Sequence, residues 1–245
     1  MAISPKDKIA IIGSGNVAFH LYKAFSDKGL NVSLINSRTI ENLDDSFNSI
    51  IVSVSDKAIS EVSDAIALRL PRYEGIVAHT AGSVPLDILL PLFHNCGVFY
   101  PLQTFNKNIP IPDFSIIPVF VEGNNEKALS LLQSLASSVS RNVYALDSEK
   151  REKLHLASVF ACNFTNAMYG VADEILKDTG IPFSALLPLI ERTAAKVHET
   201  SPSDCQTGPA IRGDYSVMQH HLEMLASHPD LQRLYSLVSS LISSK

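Results

Sequence analysis

Tryptophan is absent from this 245-residue chain, and cysteine is scarce. Only Cys96, Cys162 and Cys205 occur, far apart and without a C-x-x-C pair. That excludes a disulfide framework and suits free thiols in a reducing compartment. Apolar runs of the ~18 residues that a membrane span needs are missing as well. The opening Met-Ala-Ile-Ser-Pro-Lys-Asp-Lys has no apolar signal core, so a cytoplasmic protein without a membrane partner is expected. Basic clustering is lacking too. The net charge is −5, and the one basic stretch, Lys150-Arg151 with Lys153, is interleaved with Glu149 and Glu152. It reads as a solvated helix face, and no nucleic-acid partner is expected. Low-complexity tracts and fixed-period repeats are not found.

What is present is an ordinary globular balance, 46% hydrophobic and 18% charged, enough for one large or two modest domains. Short apolar segments rich in β-branched residues mark strands at 8–12, 31–35, 49–54, 76–79, 98–100 and 116–121. Helical spacing fills 17–28, closed by Gly29, and 58–70 and 85–94. Alternation on so short a period predicts an α/β domain of Rossmann type, a mostly parallel sheet with helices on both faces. The segment 106–118 carries three prolines and reads as a loop. Beyond Asp147 only helical patterns occur, at 149–177, 184–199, 215–227 and 229–243. The chain thus reads as a nucleotide-binding domain over 1–147 and an all-α domain over 148–245.

The first strand runs into Gly13-Ser14-Gly15-Asn16-Val17-Ala18, a G-x-G-x-x-G/A turn opening a helix. Gly13 allows the tight turn, Gly15 lets backbone approach a pyrophosphate, and Ala18 lets the helix pack closely on the strand. The helix start offers free N–H groups and a positive dipole end to phosphate. An NAD enzyme would place a carboxylate ~20 residues beyond the glycines, on the ribose hydroxyls. Here Asn36-Ser37-Arg38 stands there, with no acid before Glu41. Arg38 presents a charged fork and Ser37 a hydroxyl to a 2′-phosphate, so NADP is the expected cofactor.

The segments Ile-Asn-Ser-Arg-Thr39 and Val-Ser-Val-Ser-Asp56 resemble the β-hydroxyacid, 6-phosphogluconate and prephenate dehydrogenase superfamily. Four longer segments resemble, more closely, a family of NADP oxidoreductases with a Rossmann domain and a helical C-terminal domain of unknown function. They are 78–85 (AHTAGSVP), 98–105 (VFYPLQTF), 154–166 (LHLASVFACNFTN) and 206–214 (QTGPAIRGD). The resemblance implies a second domain like the 6-phosphogluconate dehydrogenase C-terminal domain, and a homodimer built through it. It supplies no substrate. Better-known relatives place a catalytic lysine four residues before an asparagine in the first long helix of the second domain. Here Val159 and Cys162 stand four before Asn163 and Asn166.

Ligands of open α/β sheets lie beyond the carboxyl ends of the strands. Val54, Ser55, Thr80, Ala81, Gly82 and Ser83 fall there and suit a nicotinamide ring, with Gln103 toward the substrate. His79 is either a proton donor or a satisfied buried side chain. On the long helix His155, Ser158, Cys162, Asn163 and Asn166 share an arc of about 140°. That polar stripe, among Leu156, Val159, Phe160 and Phe164, faces either a ligand or structural partners. His155 and Asn163 are the expected catalytic groups there and Asn166 a substrate contact. Arg212 either binds a substrate anion or pairs with Asp214 or Asp204. The other histidines show no metal-ligand spacing, and no metal is expected. The leading expectation is hydride transfer between NADP(H) and a small carbonyl, imine or hydroxy compound. The alternative is a non-catalytic NADP(H) sensor or partner-binding protein; a methyltransferase is disfavoured by the missing acid.

Overall fold

The computed structural model describes residue 4 and residues 6–244. Seven strands form one sheet: β1 Lys8–Ile12, β2 Asn31–Ile35, β3 Ser49–Val52, β4 Ile76–His79, β5 Cys96–Pro101, β6 Val119–Gly123 and β7 Val143–Ala145. Their spatial order is β2-β1-β3-β4-β5-β6-β7, parallel throughout except between β5 and β6. Residues of β1, β3 and β4 such as Ile11, Ile51, Val52 and Val77 are fully or almost fully buried, as sheets covered on both faces require. Helices α1 Asn16–Asp27, α2 Ile59–Arg69 and α3 Glu126–Ser137 cover the sheet. One apolar cluster joins α1 and α3 to it through Leu21, Phe25, Leu132 and Leu135; another joins α2 through Val62 and Ile66.

The chain leaves β1 for β2 on one side and β3 on the other, so the order reverses between β1 and β3. Sheets of this kind open their ligand crevice at that reversal, beyond the carboxyl ends.

Residues 85–94 hold only a 3₁₀ turn at Leu86–Ile88, because Pro91 removes a donor and disfavours helix at the residue before it. The last strand of that reading shifts to Val119–Gly123, with a 3₁₀ turn at Phe114–Ile116 ahead of Pro118. Helix α3 and strand β7 were not among the expected elements.

The helical part follows as α4 Ser148–Ser158, a π-helical stretch Val159–Phe164, α5 Thr165–Leu176, α6 Leu187–Lys196, α7 Pro209–Arg212, α8 Tyr215–Met224 and α9 Pro229–Ser243. By compactness the chain divides into 1–167 and 168–245, so α4 and the π-helix belong with the sheet. The second unit is all-helical, and α5, α7, α8 and α9 surround an apolar cavity of about 340 Å³ there. Among the described residues no helix is long and apolar enough to cross a membrane.

Candidate active site

Gly13 ends β1 with φ at 142°, and a Cβ there would lie 2.0 Å from the Ser53 carbonyl oxygen. Only glycine permits this approach of the first turn to the end of β3. Gly15 then caps α1 with extended backbone; no side chain occupies the cap, and no acid stands in the first turn. Among the described residues nothing lies within 4 Å of the Cβ position on Gly15. The open N–H groups of α1 therefore face free space with the positive end of the helix dipole behind them.

That space is a cavity of about 930 Å³, walled by Ser14, Gly15, Asn16, Ser37, Arg38 and Ser55, among others. Its one carboxylate is Glu61 of α2, and the end of β2 contributes none. Asn36 lies outside the wall: its Oδ1 accepts the Arg38 N–H at 2.9 Å and shapes the turn that presents Arg38. Anchored phosphates at α1 and a 2′-phosphate at Arg38 are what such walls fit.

A second cavity, of about 560 Å³, shares Val17, Val54 and Thr80 with the first. Its size falls in the range of small-molecule sites. Ala81 and Gly82 line it from the loop after β4, Tyr100 and Gln103 from β5 and beyond, and His155, Ser158, Cys162 and Asn163 from α4 and the π-helix. The Tyr100 hydroxyl and His155 Nδ1 are 3.0 Å apart, with the rings edge-on. Burial pushes the Tyr100 phenol up from its usual range. A Cβ on Gly82 would fall 2.6 Å from His155 Nδ1 and 2.9 Å from Tyr100 Cζ, so this contact exists because position 82 has no side chain.

Arg151 holds α4 against this corner. Its side chain is 1% exposed, where the sequence suggested a solvated face. It pairs with Glu122 of β6 and donates to the Val84 carbonyl at 2.6 Å and to Ser148 Oγ at 3.1 Å. Ser148 in turn donates from N and Oγ to Glu122, at 3.0 and 2.8 Å. Asp147 caps the helix by accepting the Lys150 N–H at 2.9 Å.

His79 must be moved from the expected catalytic groups to the interior. It is 0% exposed and lines neither cavity. Its Nδ1 accepts the Ala81 N–H at 3.2 Å, while Nε2 has no hydrogen-bond partner among the described residues. Burial first, and then the charge of Arg151, lower its pKa to about 4, so it stays a neutral ring. Ser83 lines neither cavity; its hydroxyl donates to Oδ2 of the wall residue Asp56 at 2.5 Å. Thr80 Oγ1 lies 3.3 Å from Ser53 Oγ. Gln103 uses Oε1 on the Thr104 N–H at 2.8 Å.

The polar stripe of the long helix is divided. His155, Ser158, Cys162 and Asn163 face the second cavity, and Asn166, exposed on α5, does not. Of its supposed packing partners, Leu156, Phe160 and Phe164 are 59%, 61% and 49% exposed. Arg212 lies in the second unit, 3.8 Å from the Asp214 carboxylate, one of the two pairings expected beside the anion-binding role. Among the described residues no three histidine, cysteine or acidic side chains are grouped to hold a metal.

Residues 8–79 match the family model described as NADP oxidoreductase, coenzyme F420-dependent. Residues 117–242, half of the chain, match the domain of unknown function DUF2520. A crystal structure from Bacteroides fragilis, of a protein named as an NADP oxidoreductase, is 41% identical, with TM-score 0.91 over 99% of this chain and 100% of that one. A protein from Thermotoga maritima is 21% identical, with TM-score 0.71 over 96% and 97%. Plasmodium falciparum pyrroline carboxylate reductase with NADP bound is 11% identical, with TM-score 0.62 over 97% and 99%. No curated protein matches.

Proposed function

Because the chain belongs to the NADP oxidoreductases that carry a DUF2520 domain, we propose that it is an enzyme moving a hydride between NADP(H) and a small carbonyl, imine or hydroxy compound. One observation carries the reading. The cavity at the glycine turn and Arg38 shares Val17, Val54 and Thr80 as wall residues with the one lined by the Tyr100–His155 pair. A cofactor cradle that leads to a proton donor is what hydride transfer to a polar double bond requires. When bound, NADPH supplies the hydride from its nicotinamide ring. Ser14, Gly15 and Asn16 bind the pyrophosphate, Ser37 and Arg38 the 2′-phosphate, and Val54, Ser55, Thr80 and Ala81 the nicotinamide end. Tyr100 and His155 hold the proton, and Asn163 orients the reacting oxygen or nitrogen through its amide. The absence of lysine on the cavity wall is met by this pair, which does the proton transfer by other groups.

Arg38→Ala removes one charge-assisted contact to the 2′-phosphate, worth roughly 1.5–3 kcal/mol. NADPH affinity by calorimetry should fall about ten- to a hundredfold, and NADH affinity should change little. Equal loss for both cofactors would mean that Arg38 does not read the 2′-phosphate.

The exposed Leu156, Phe160 and Phe164 stripe supports a homodimer as the working form. Large apolar patches on a single chain mark interfaces. Light scattering should return about twice the 26.7 kDa of the chain; a monomer at micromolar concentration would refute it.

A further inference from the structure

The walls of the second cavity are unusual in charge. Apart from the His155 ring, its lining contains no basic side chain, and its one formal charge is the carboxylate of Asp56. Arg151 is not among the lining residues; it is buried and paired with Glu122, although its charge is felt at Tyr100. Arg38 belongs to the other cavity. The remaining wall is apolar or neutral, with Phe105, Leu102, Val54 and Val159 among its members. Asp56 Oδ2 takes the Ser83 hydroxyl, which fixes the carboxylate and leaves Oδ1 without a hydrogen bond among the described residues.

A substrate carboxylate or phosphate in this cavity meets no guanidinium or ammonium among the described lining residues. Desolvating an unpaired anion is costly. A cation is welcome on both counts: Asp56 supplies the opposite charge, and the faces of Tyr100 and Phe105 favour positive charge near them. Resting on the hydride-transfer reading above, we propose that the substrate class is a small imine without an acidic group, reduced as its iminium ion to an amine.

The chemistry balances. The imine nitrogen takes the proton held by Tyr100 and His155, and Asp56 stabilises the resulting iminium charge. Hydride addition to the carbon then breaks the carbon–nitrogen π bond. Its electron pair passes to nitrogen and cancels the charge. The imine gains two electrons and two hydrogens, the cofactor is oxidised by the same two electrons, and the Tyr100–His155 pair is reprotonated from solvent.

The test compares one ring with and without a carboxylate. Calorimetry on the NADP⁺-loaded full chain should show pyrrolidine, a cation at neutral pH, binding at least about tenfold more tightly than proline. NADPH oxidation should be at least about a hundredfold more efficient with 2-methyl-1-pyrroline than with pyrroline-2-carboxylate. Asp56→Asn should weaken pyrrolidine about tenfold, leave NADPH affinity unchanged as a check on folding, and not weaken proline. Asp56→Glu keeps the charge and should keep the order. Proline binding as well as pyrrolidine, or pyrrolidine indifferent to Asp56→Asn, overturns the assignment of substrate class alone. Failure of the native protein to bind NADPH overturns the hydride-transfer reading, and this inference with it.

Discussion

Arg151→Met is expected to destabilise the protein by about 3 kcal/mol or more, the lower end of what breaking a buried ion pair costs. The lower end applies because Glu122 keeps 19% exposure and two donors from Ser148. The substitution fills most of the volume but leaves that carboxylate without its cation and the Val84 carbonyl without its donor. Urea unfolding followed by circular dichroism should show the midpoint fall, and adding Glu122→Gln should recover part of the loss. A loss under ~1 kcal/mol would mean that the network is not what fixes α4 to the sheet. NADPH affinity should fall as well, since Val84 closes the loop that carries Thr80, Ala81 and Gly82.

Tyr100→Phe is expected to lower kcat by about 10²–10⁴-fold, the usual contribution of a positioned proton donor. His155→Ala should do much the same, and the double variant little worse than either, because the two groups act as a unit. NADPH binding should survive, since neither residue lines the cradle at Arg38. The readout is single-turnover NADPH oxidation with a reducible imine or ketone. Tyr100 and His155 effects that multiply rather than saturate would show that they do not share one proton.

The cradle was legible from sequence because its parts are local. Gly13 to Ala18 must follow a strand and open a helix, and Asn36 to Arg38 must end the next strand, so a few neighbouring residues decide the geometry. The second cavity depends on pairs that no short window contains. Tyr100 meets His155 across 55 residues, and Glu122 meets Arg151 across 29. Charge alternation in Glu149–Lys153 therefore looked solvated, although Arg151 points inward. His79 was ambiguous for a related reason: a histidine at a strand end can face ligand or core, and only the surrounding sheet decides. Helix α3 did carry a signal, with Asn125 as its cap and Ala128, Leu132, Leu135 and Ala136 on one face. β7, three residues long, carried almost none.

One consequence of the π-helical stretch concerns length rather than chemistry. Thr165 Oγ1 donates to the Phe160 carbonyl five residues earlier, at 3.2 Å, and Val159, Ala161, Cys162 and Asn163 all line the cavity. Each step of a regular helix rotates the side chain by ~100°, and the wider winding here brings successive residues closer on the circumference. Stretches of this kind behave as single-residue expansions of an α-helix. Between Ser158 and Thr165 the number of residues is then a constrained quantity in its own right. Dropping one would restore the ordinary winding and swing every later side chain about the axis by roughly a quarter turn. Exchanging one side chain here alters the wall at a point, whereas a change of length alters which residues make up the wall.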